Sequence, residues 1–173
     1  MSIIAQTPRL IIREFLPEEE DLFINLHKDE QVLKYIPRRS EEENRKLFKE
    51  SLEIYNDGTG LSRWGMFDKA TGDFVGACLF RPAKEAPGKI EFGYSVHVKY
   101  WGRGLATEMA LAMVNWGLTK MQFPSISAVT HPENIPSQKV LLKAGLQQLG
   151  DVFWHGQTLP YFEILRSERV EAK

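Results

Sequence analysis

From Val96 to Ala106 the chain reads Val-His-Val-Lys-Tyr-Trp-Gly-Arg-Gly-Leu-Ala. A strand-like run enters a glycine-rich turn, and the turn opens a helical pattern. The first N–H groups of a helix lack internal partners and sit at the positive end of its dipole. Glycines let a ligand approach that backbone closely, so Gly102, Arg103 and Gly104 with Leu105, Ala106 and Thr107 make a ready anion site. Upstream, Lys89 to Val98 alternates cleanly. Ile90, Phe92, Tyr94, Val96 and Val98 share one face, and Glu91, Gly93, Ser95 and His97 the other. Downstream, Asn134 caps a helix that Gly145 ends.

Three phosphate-binding readings of the turn compete with a plain strand-to-helix turn. A P-loop needs Gly, four residues, then Gly-Lys-Ser/Thr, and no such string exists. A dinucleotide fingerprint wants Gly or Ala where Thr107 stands, and an acid about 20 residues on. Gln122, Phe123 and Pro124 are found there instead. The third reading is a pyrophosphate cradle for coenzyme A.

The elements that would position these residues follow from pattern. Leu10–Phe15 reads as an edge strand. Pro17-Glu18-Glu19-Glu20 opens a helix with Leu22, Phe23 and Leu26 on its apolar stripe. Ser40 and Glu43 form a capping box for a second helix through Tyr55, stopped by Asn56–Gly60. The acids Glu41, Glu42 and Glu43 read as its solvated start. Strands are expected at Leu61–Phe67, Phe74–Phe80 and Lys89–Val98, with a hairpin turn at Asp68–Asp73 and a loop at Pro82–Gly88. A helix runs from the glycine turn to about Met121, its broad apolar face including Met113 and Trp116. A strand at Pro124–Thr130, the Asn134 helix and two strands around His155-Gly156-Gln157 complete the order, leaving Ser167–Lys173 as a frayed tail. Hairpins with one βαβ crossover make an α+β domain with a mixed sheet.

Length and composition bound the rest. The 173 residues are 43% hydrophobic, enough for one domain with a sizeable core. A mean hydropathy of −0.31 and 11% aromatics argue against disorder. The net charge of −1 gives no basic excess for gripping nucleic acid. The longest apolar run, Met109–Val114, falls far short of the ~18 residues that span a bilayer. The first residues lack a secretory signal pattern. Cys78, the one cysteine, can form neither an internal disulfide nor a Cys-based zinc site. A cytoplasmic chain with no metal is expected.

Trp101-Gly102-Arg103-Gly104-Leu105-Ala106 resembles motif A of the GNAT acyltransferase family, Gln/Arg-x-x-Gly-x-Gly/Ala. Asn134, Ser137, Lys143, Gly145 and Leu146 resemble its motif B, and the spacing between the two fits. Within the family the chain resembles the RimJ/RimL-type branch of ribosomal-protein N-terminal acetyltransferases. It shares the opening Thr7-Pro8-Arg9-Leu10, the turn Tyr100–Gly104 and the Thr107-Glu108 that follows. The Trp64–Gly76 hairpin fits as well. Two positions depart: Trp101 stands for Gln/Arg, and Leu159-Pro160-Tyr161 lacks an Asp common near the final strand.

The resemblance implies a single GNAT-like domain over 1–173 with its core at about 7–165. It implies a largely antiparallel sheet of about seven strands flanked by helices, with the crossover at the coenzyme A site. It implies transfer of acetyl from acetyl-CoA to a primary amine, first of all a protein or peptide N-terminus. A small-amine acetyltransferase acting on an aminoglycoside or polyamine, and an acyl-CoA sensor without turnover, are the alternatives. Glu91 is the expected base acting through water, and Ser137 the expected proton donor to the departing thiolate; a surface Glu and a helix-start Ser are the structural alternatives. Trp101 to Thr107, Asn134, Ser137 and the backbone N–H groups of Tyr94 and Val96 are the expected coenzyme A contacts. The N–H groups serve only if the neighbouring strand splays away. The acceptor walls are assigned to residues 18 to 56 and the last strands. His97 and His131 are weaker candidates for chemistry. No contact with nucleic acid or membrane is expected, and the chain is a monomer or a homodimer.

Overall fold

A computed structural model describes residues 1–83, 86–154 and 156–170. Eight strands form one sheet: β1 (Ile3–Gln6), β2 (Leu10–Arg13), β3 (Arg63–Asp68), β4 (Phe74–Pro82), β5 (Ile90–Val96), β6 (Ser125–Val129), β7 (Gln147–Trp154) and β8 (Gln157–Leu165). Their order is β1-β2-β3-β4-β5-β6-β8-β7. Every neighbouring pair is antiparallel except β5 and β6. Five helices accompany them: α1 (Glu20–Leu26), α2 (Glu41–Glu53), α3 (Leu105–Thr119), α4 (Ile135–Lys143) and α5 (Arg166–Val170). Helix α3 is the crossover that makes β5 and β6 parallel.

The α+β reading and the mixed sheet hold, with four corrections. The sheet has eight strands, because Ile3–Gln6 pairs with β2 and takes the edge assigned to Leu10–Phe15. Too short to show a period, β1 is defined by its partner. Strand β5 ends at Val96, and Val98 lies in a 3-10 turn, Val98–Tyr100. The tail is helical through Val170, packed on β8. The first helix opens with a 3-10 turn at Pro17–Glu19 before α1. His155 in the last turn, Lys84 and Glu85 in the loop after β4, and 171–173 in the tail lie outside the described residues.

The strand alternation divides the core. Leu10, Ile12, Trp64, Met66, Cys78, Phe80 and Phe92 pack against Met109, Met113, Val114 and Leu118 of α3. On the opposite face Phe15, Phe67, Phe74 and Ala77 pack against Phe23, Ile24, Leu26 and Phe48 of α1 and α2. Helix α2 starts as its capping box dictates: Ser40 Oγ accepts from Glu43 N at 3.1 Å, and Glu43 Oε2 accepts from Ser40 N at 2.6 Å.

Tyr55, just past α2, fastens this helical layer to the sheet. Its hydroxyl accepts from Phe15 N at 3.0 Å and donates to Arg63 O at 2.6 Å. Burial pushes the phenol well above its usual range, so it stays a donor. Tyr55→Phe leaves a backbone donor and a backbone acceptor without that partner. The expected cost is about 1–3 kcal/mol of stability in urea unfolding, with an unchanged m-value.

Candidate active site

The glycine turn is held in shape from three sides. Trp101 Nε1 donates to Val96 O at 2.8 Å, so the residue standing for the family's Gln/Arg ties the turn back to β5. Gly102 and Gly104 have φ of 71° and 74°, the left-handed region that glycine enters without cost. From the far end of the sheet, Arg9 donates to Arg103 O at 2.8 Å. Glu108 anchors that arm: it accepts from Arg9 N at 2.8 Å, from Arg9 Nε at 2.7 Å and from Thr7 Oγ1. Burial alone would raise the Glu108 carboxyl, but the bonds from Thr7 and Arg9 outweigh it and hold it below the usual range.

Helix α3 begins at Gly104 with no side-chain cap. A Cβ on Gly102 would meet nothing within 4 Å, and one on Gly104 only Arg9 Nη2 at 3.6 Å. The first N–H groups, those of Leu105, Ala106 and Thr107, have no acceptor among the described residues and stand at the positive end of a 15-residue helix.

Beside the turn the sheet parts. Strands β5 and β6 share one bridge, Glu91 opposite Ser127. His97 N donates to Val75 O at 2.9 Å. By the two-residue alternation of an antiparallel ladder, Glu91, Gly93 and Ser95 bond to β4, while Tyr94 and Val96 turn their amides to the gap. The splay required for those N–H groups is present.

A cavity of about 180 Å³ runs through the gap. One end is lined by Tyr94, Asn134, Ser137 and Leu141. Asn134 Oδ1 accepts from Ser137 N at 3.3 Å, which makes Asn134 the N-cap of α4; its amide nitrogen donates to no described residue. The Ser137 hydroxyl bonds across the gap: Tyr94 O–H donates to Ser137 Oγ at 3.2 Å. Burial raises the Tyr94 phenol, which keeps its proton, and Ser137 is left with its own proton to give.

The other end holds Glu91, Arg81, Arg63, Arg39 and His27. Glu91 is 6% exposed and is not a surface strand residue. Arg81, directly opposite in register, grips both its oxygens, Nε to Oε2 at 2.8 Å and Nη2 to Oε1 at 2.9 Å. Burial lowers the His27 pKa, and its Nδ1 lies 2.9 Å from Phe23 O. At the rim, His131 stacks on Tyr35 with centroids 4.8 Å apart. His97 packs edge-on to Phe74, away from the cavity. Residues between 23 and 47, and Gln157 and Leu159, also line the cavity.

Of the residues singled out, Glu91, Tyr94, His131, Asn134 and Ser137 line one cavity, whereas Val96, Trp101 and the turn 102–107 are not part of its lining. Three features escaped the sequence. The Tyr94 hydroxyl finds its partner on α4, which no spacing in β5 encodes. The arginines arrive from three separate elements; only Arg81, which mirrors Glu91 across the β4–β5 loop, left a signal. The contact of Thr7 and Arg9 with Glu108 joins two stretches noted separately. An uncapped helix start beside glycines, an open strand edge and free donors at Asn134 and Ser137 suit a pyrophosphate and the amide-bearing arm of coenzyme A.

Residues 9–147 match the Acetyltransferase (GNAT) domain family. An uncharacterized N-acetyltransferase of Bacillus licheniformis, p20, is 28% identical over 147 residues, 83% of this chain and 82% of its own. A GNAT-family acetyltransferase from Bacillus anthracis superposes with a TM-score of 0.77 at 26% identity, covering 94% of this chain and 98% of that one. The fold is also that of RimL, a ribosomal L7/L12 alpha-N-protein acetyltransferase solved with coenzyme A, at TM-score 0.79 and 14% identity over 95% of this chain and 98% of RimL. The match over residues 9–147, an open sheet parted beside an uncapped glycine turn and these relatives make the chain a member of the GNAT acetyltransferase family, an enzyme whose co-substrate is acetyl-CoA.

Proposed function

We propose that the chain is one acetyltransferase domain, with its core at about 7–165, that acetylates the α-amino group of a peptide or protein N-terminus. The carrying observation is the cavity through the β5–β6 gap, which joins the Tyr94–Ser137 end to the Glu91 end. Its volume of about 180 Å³ suits a single terminal group better than a folded surface. A terminal amine, with a pKa near 8, also surrenders its proton more readily at neutral pH than a lysine near 10.4. RimL, which shares the fold, acts on the α-amino group of a protein.

Acetyl-CoA supplies the acetyl group as a thioester. The N–H groups of Leu105, Ala106 and Thr107 bind its pyrophosphate in the turn formed by Trp101, Gly102, Arg103 and Gly104. The Asn134 amide nitrogen and the Tyr94 and Val96 N–H groups serve the pantetheine arm and the thioester carbonyl. The acceptor nitrogen bonds to the carbonyl carbon, the C–S bond breaks, the nitrogen loses one proton and the sulfur gains one. Ser137 Oγ, oriented by the hydrogen bond it accepts from Tyr94 O–H, gives the sulfur its proton and regains one from solvent water as the products leave. Glu91 receives the amine's proton through water. Arg81 holds both of its oxygens, which fixes the direction in which the carboxylate faces that water.

Gly104→Asp places a carboxylate where the pyrophosphate lies, and coenzyme A affinity in titration calorimetry should fall at least tenfold through like-charge repulsion alone. Ser137→Ala and Tyr94→Phe should lower turnover by similar factors, no more than about 10²-fold because a thiolate already leaves well. Coenzyme A affinity should hold in both, since the Asn134 cap bonds the backbone of Ser137 and not its hydroxyl. Turnover that survives in Ser137→Ala sinks the donor role. Glu91→Gln should cost about 10²-fold at neutral pH, with the deficit shrinking toward pH 9 as free amine accumulates. A deficit equal at all pH values makes Glu91 purely structural.

A further inference from the structure

The acceptor end of the cavity is crowded with positive charge. Arg39, before α2, Arg63 on β3 and Arg81 on β4 line it, and Glu91 is the one carboxylate among the described lining residues. Arg81 holds Glu91 in a two-pronged pair. The guanidinium groups of Arg39 and Arg63 have no ion pair and no hydrogen bond among the described residues. Of the acids near them, Glu91 acts on Arg39 from within the lining but is held by Arg81, Glu43 closes the Ser40 capping box, and Glu50 stands beside Lys46 at 3.8 Å. His27 and His131 complete the titratable groups at this end with Tyr35, and burial disfavours the charged form of His27.

Such an arrangement is costly for the protein alone. Burial, then Arg81 and Arg39, push Arg63 down to about 10; burial, then Arg81, push Arg39 down as well. A desolvated cation persists where a partner compensates it, and here the space in front of it is a cavity. Guanidinium groups present paired donors that match a carboxylate. The cavity, about 180 Å³ over both of its ends, is close in size to the engineered cavities of about 150 Å³ that hold a benzene ring. Arg39 and Arg63 share this lining with Glu91, so an amine that reacts beside Glu91 carries its neighbouring groups toward them. The same charge repels a polyamine.

We propose that the acceptor carries a carboxylate within about one residue's length of its reacting amine, and that Arg39 and Arg63 are the residues that recognise it. On the reading of the enzyme as an N-terminal acetyltransferase, on which this rests, the substrate is a chain beginning with an acidic residue. A free amino acid offers the same chemistry.

The test is thiol release from acetyl-CoA with matched acceptors: Glu-Ala-Ala-Ala-amide against Gln-Ala-Ala-Ala-amide, glycine against glycinamide, and spermidine. The expected result is a preference for the carboxylate member of at least one pair, on the order of 10- to 100-fold in kcat/KM and carried by KM. The peptide pair answering identifies a chain terminus; the glycine pair alone identifies a free amino acid. The preference should collapse in Arg63→Gln and in Arg39→Gln and return in part in Arg63→Lys. Melting temperature should hold or rise in Arg63→Gln, because an uncompensated cation is removed; a fall assigns Arg63 to the scaffold and overturns the proposal. Equal use of both members of both pairs, or spermidine as the better substrate, overturns it too. Calorimetry of coenzyme A-loaded protein with N-acetyl-Glu-Ala-Ala-Ala-amide and its Gln counterpart, and with N-acetylglycine and its amide, reads carboxylate recognition without turnover. Coenzyme A binding with no thiol release from any amine defeats the transfer reading alone, while matched affinities within each calorimetric pair defeat the carboxylate reading alone.

Discussion

The two strands that meet in the middle of the sheet do so at a single point, Glu91 opposite Ser127, and the site depends on that being all. A longer parallel ladder would consume the amides of Tyr94 and Val96 and close the cavity between them. Parting strands inside a protein exposes backbone groups that must find other partners. The chain answers part of the demand itself: Ser127 Oγ donates to Ile90 O at 3.0 Å, and Trp101 takes the carbonyl of Val96. The rest is left to the ligand. The crossover through α3 imposes the parallel direction, and the helix that enforces it also presents its uncapped start beside the opening.

What could be read from the sequence was local in origin. The glycine turn announces itself because φ near 70° at Gly102 and Gly104 demands residues without a side chain. The α2 boundary is written in Ser40 and Glu43, and the alternation of β5 sorts Glu91 from Tyr94 before any partner is known. What could not be read depends on register and packing. Ile3–Gln6 is four residues long and becomes a strand only against β2. The exposed or buried state of Glu91 is decided by α1, α2 and the segment carrying Arg39, which cover its face of the sheet. Arg39 and Arg63 are 24 positions apart in the chain, on elements whose relative placement no spacing encodes. Tyr94 illustrates the same limit at one residue: its backbone role followed from the strand, its hydroxyl role from α4, which approaches across the gap.

The turn is also braced from a distance. Thr7 and Arg9 lie about a hundred positions from Glu108, and their bonds to it link the start of the sheet to the start of α3. Hydrogen bonds to a charged acceptor are the stronger kind, and here several converge on one carboxylate. They fix the first turn of the helix on which the anion site depends, and Arg9 continues to the carbonyl of Arg103.

The two ends of the cavity are drawn from different lengths of chain. The Tyr94–Ser137 end comes from β5 and α4, within residues 93 to 141, whereas much of the end beside Glu91 comes from residues 23 to 63 with a contribution from the last hairpin. The division makes the fold evolvable. Residues 23 to 63 can drift, exchange charges or be replaced as a block, redirecting the enzyme from one amine to another, while the reactive end is inherited intact. Diversity of acceptors across a lineage built on this plan then requires no new chemistry, only new walls.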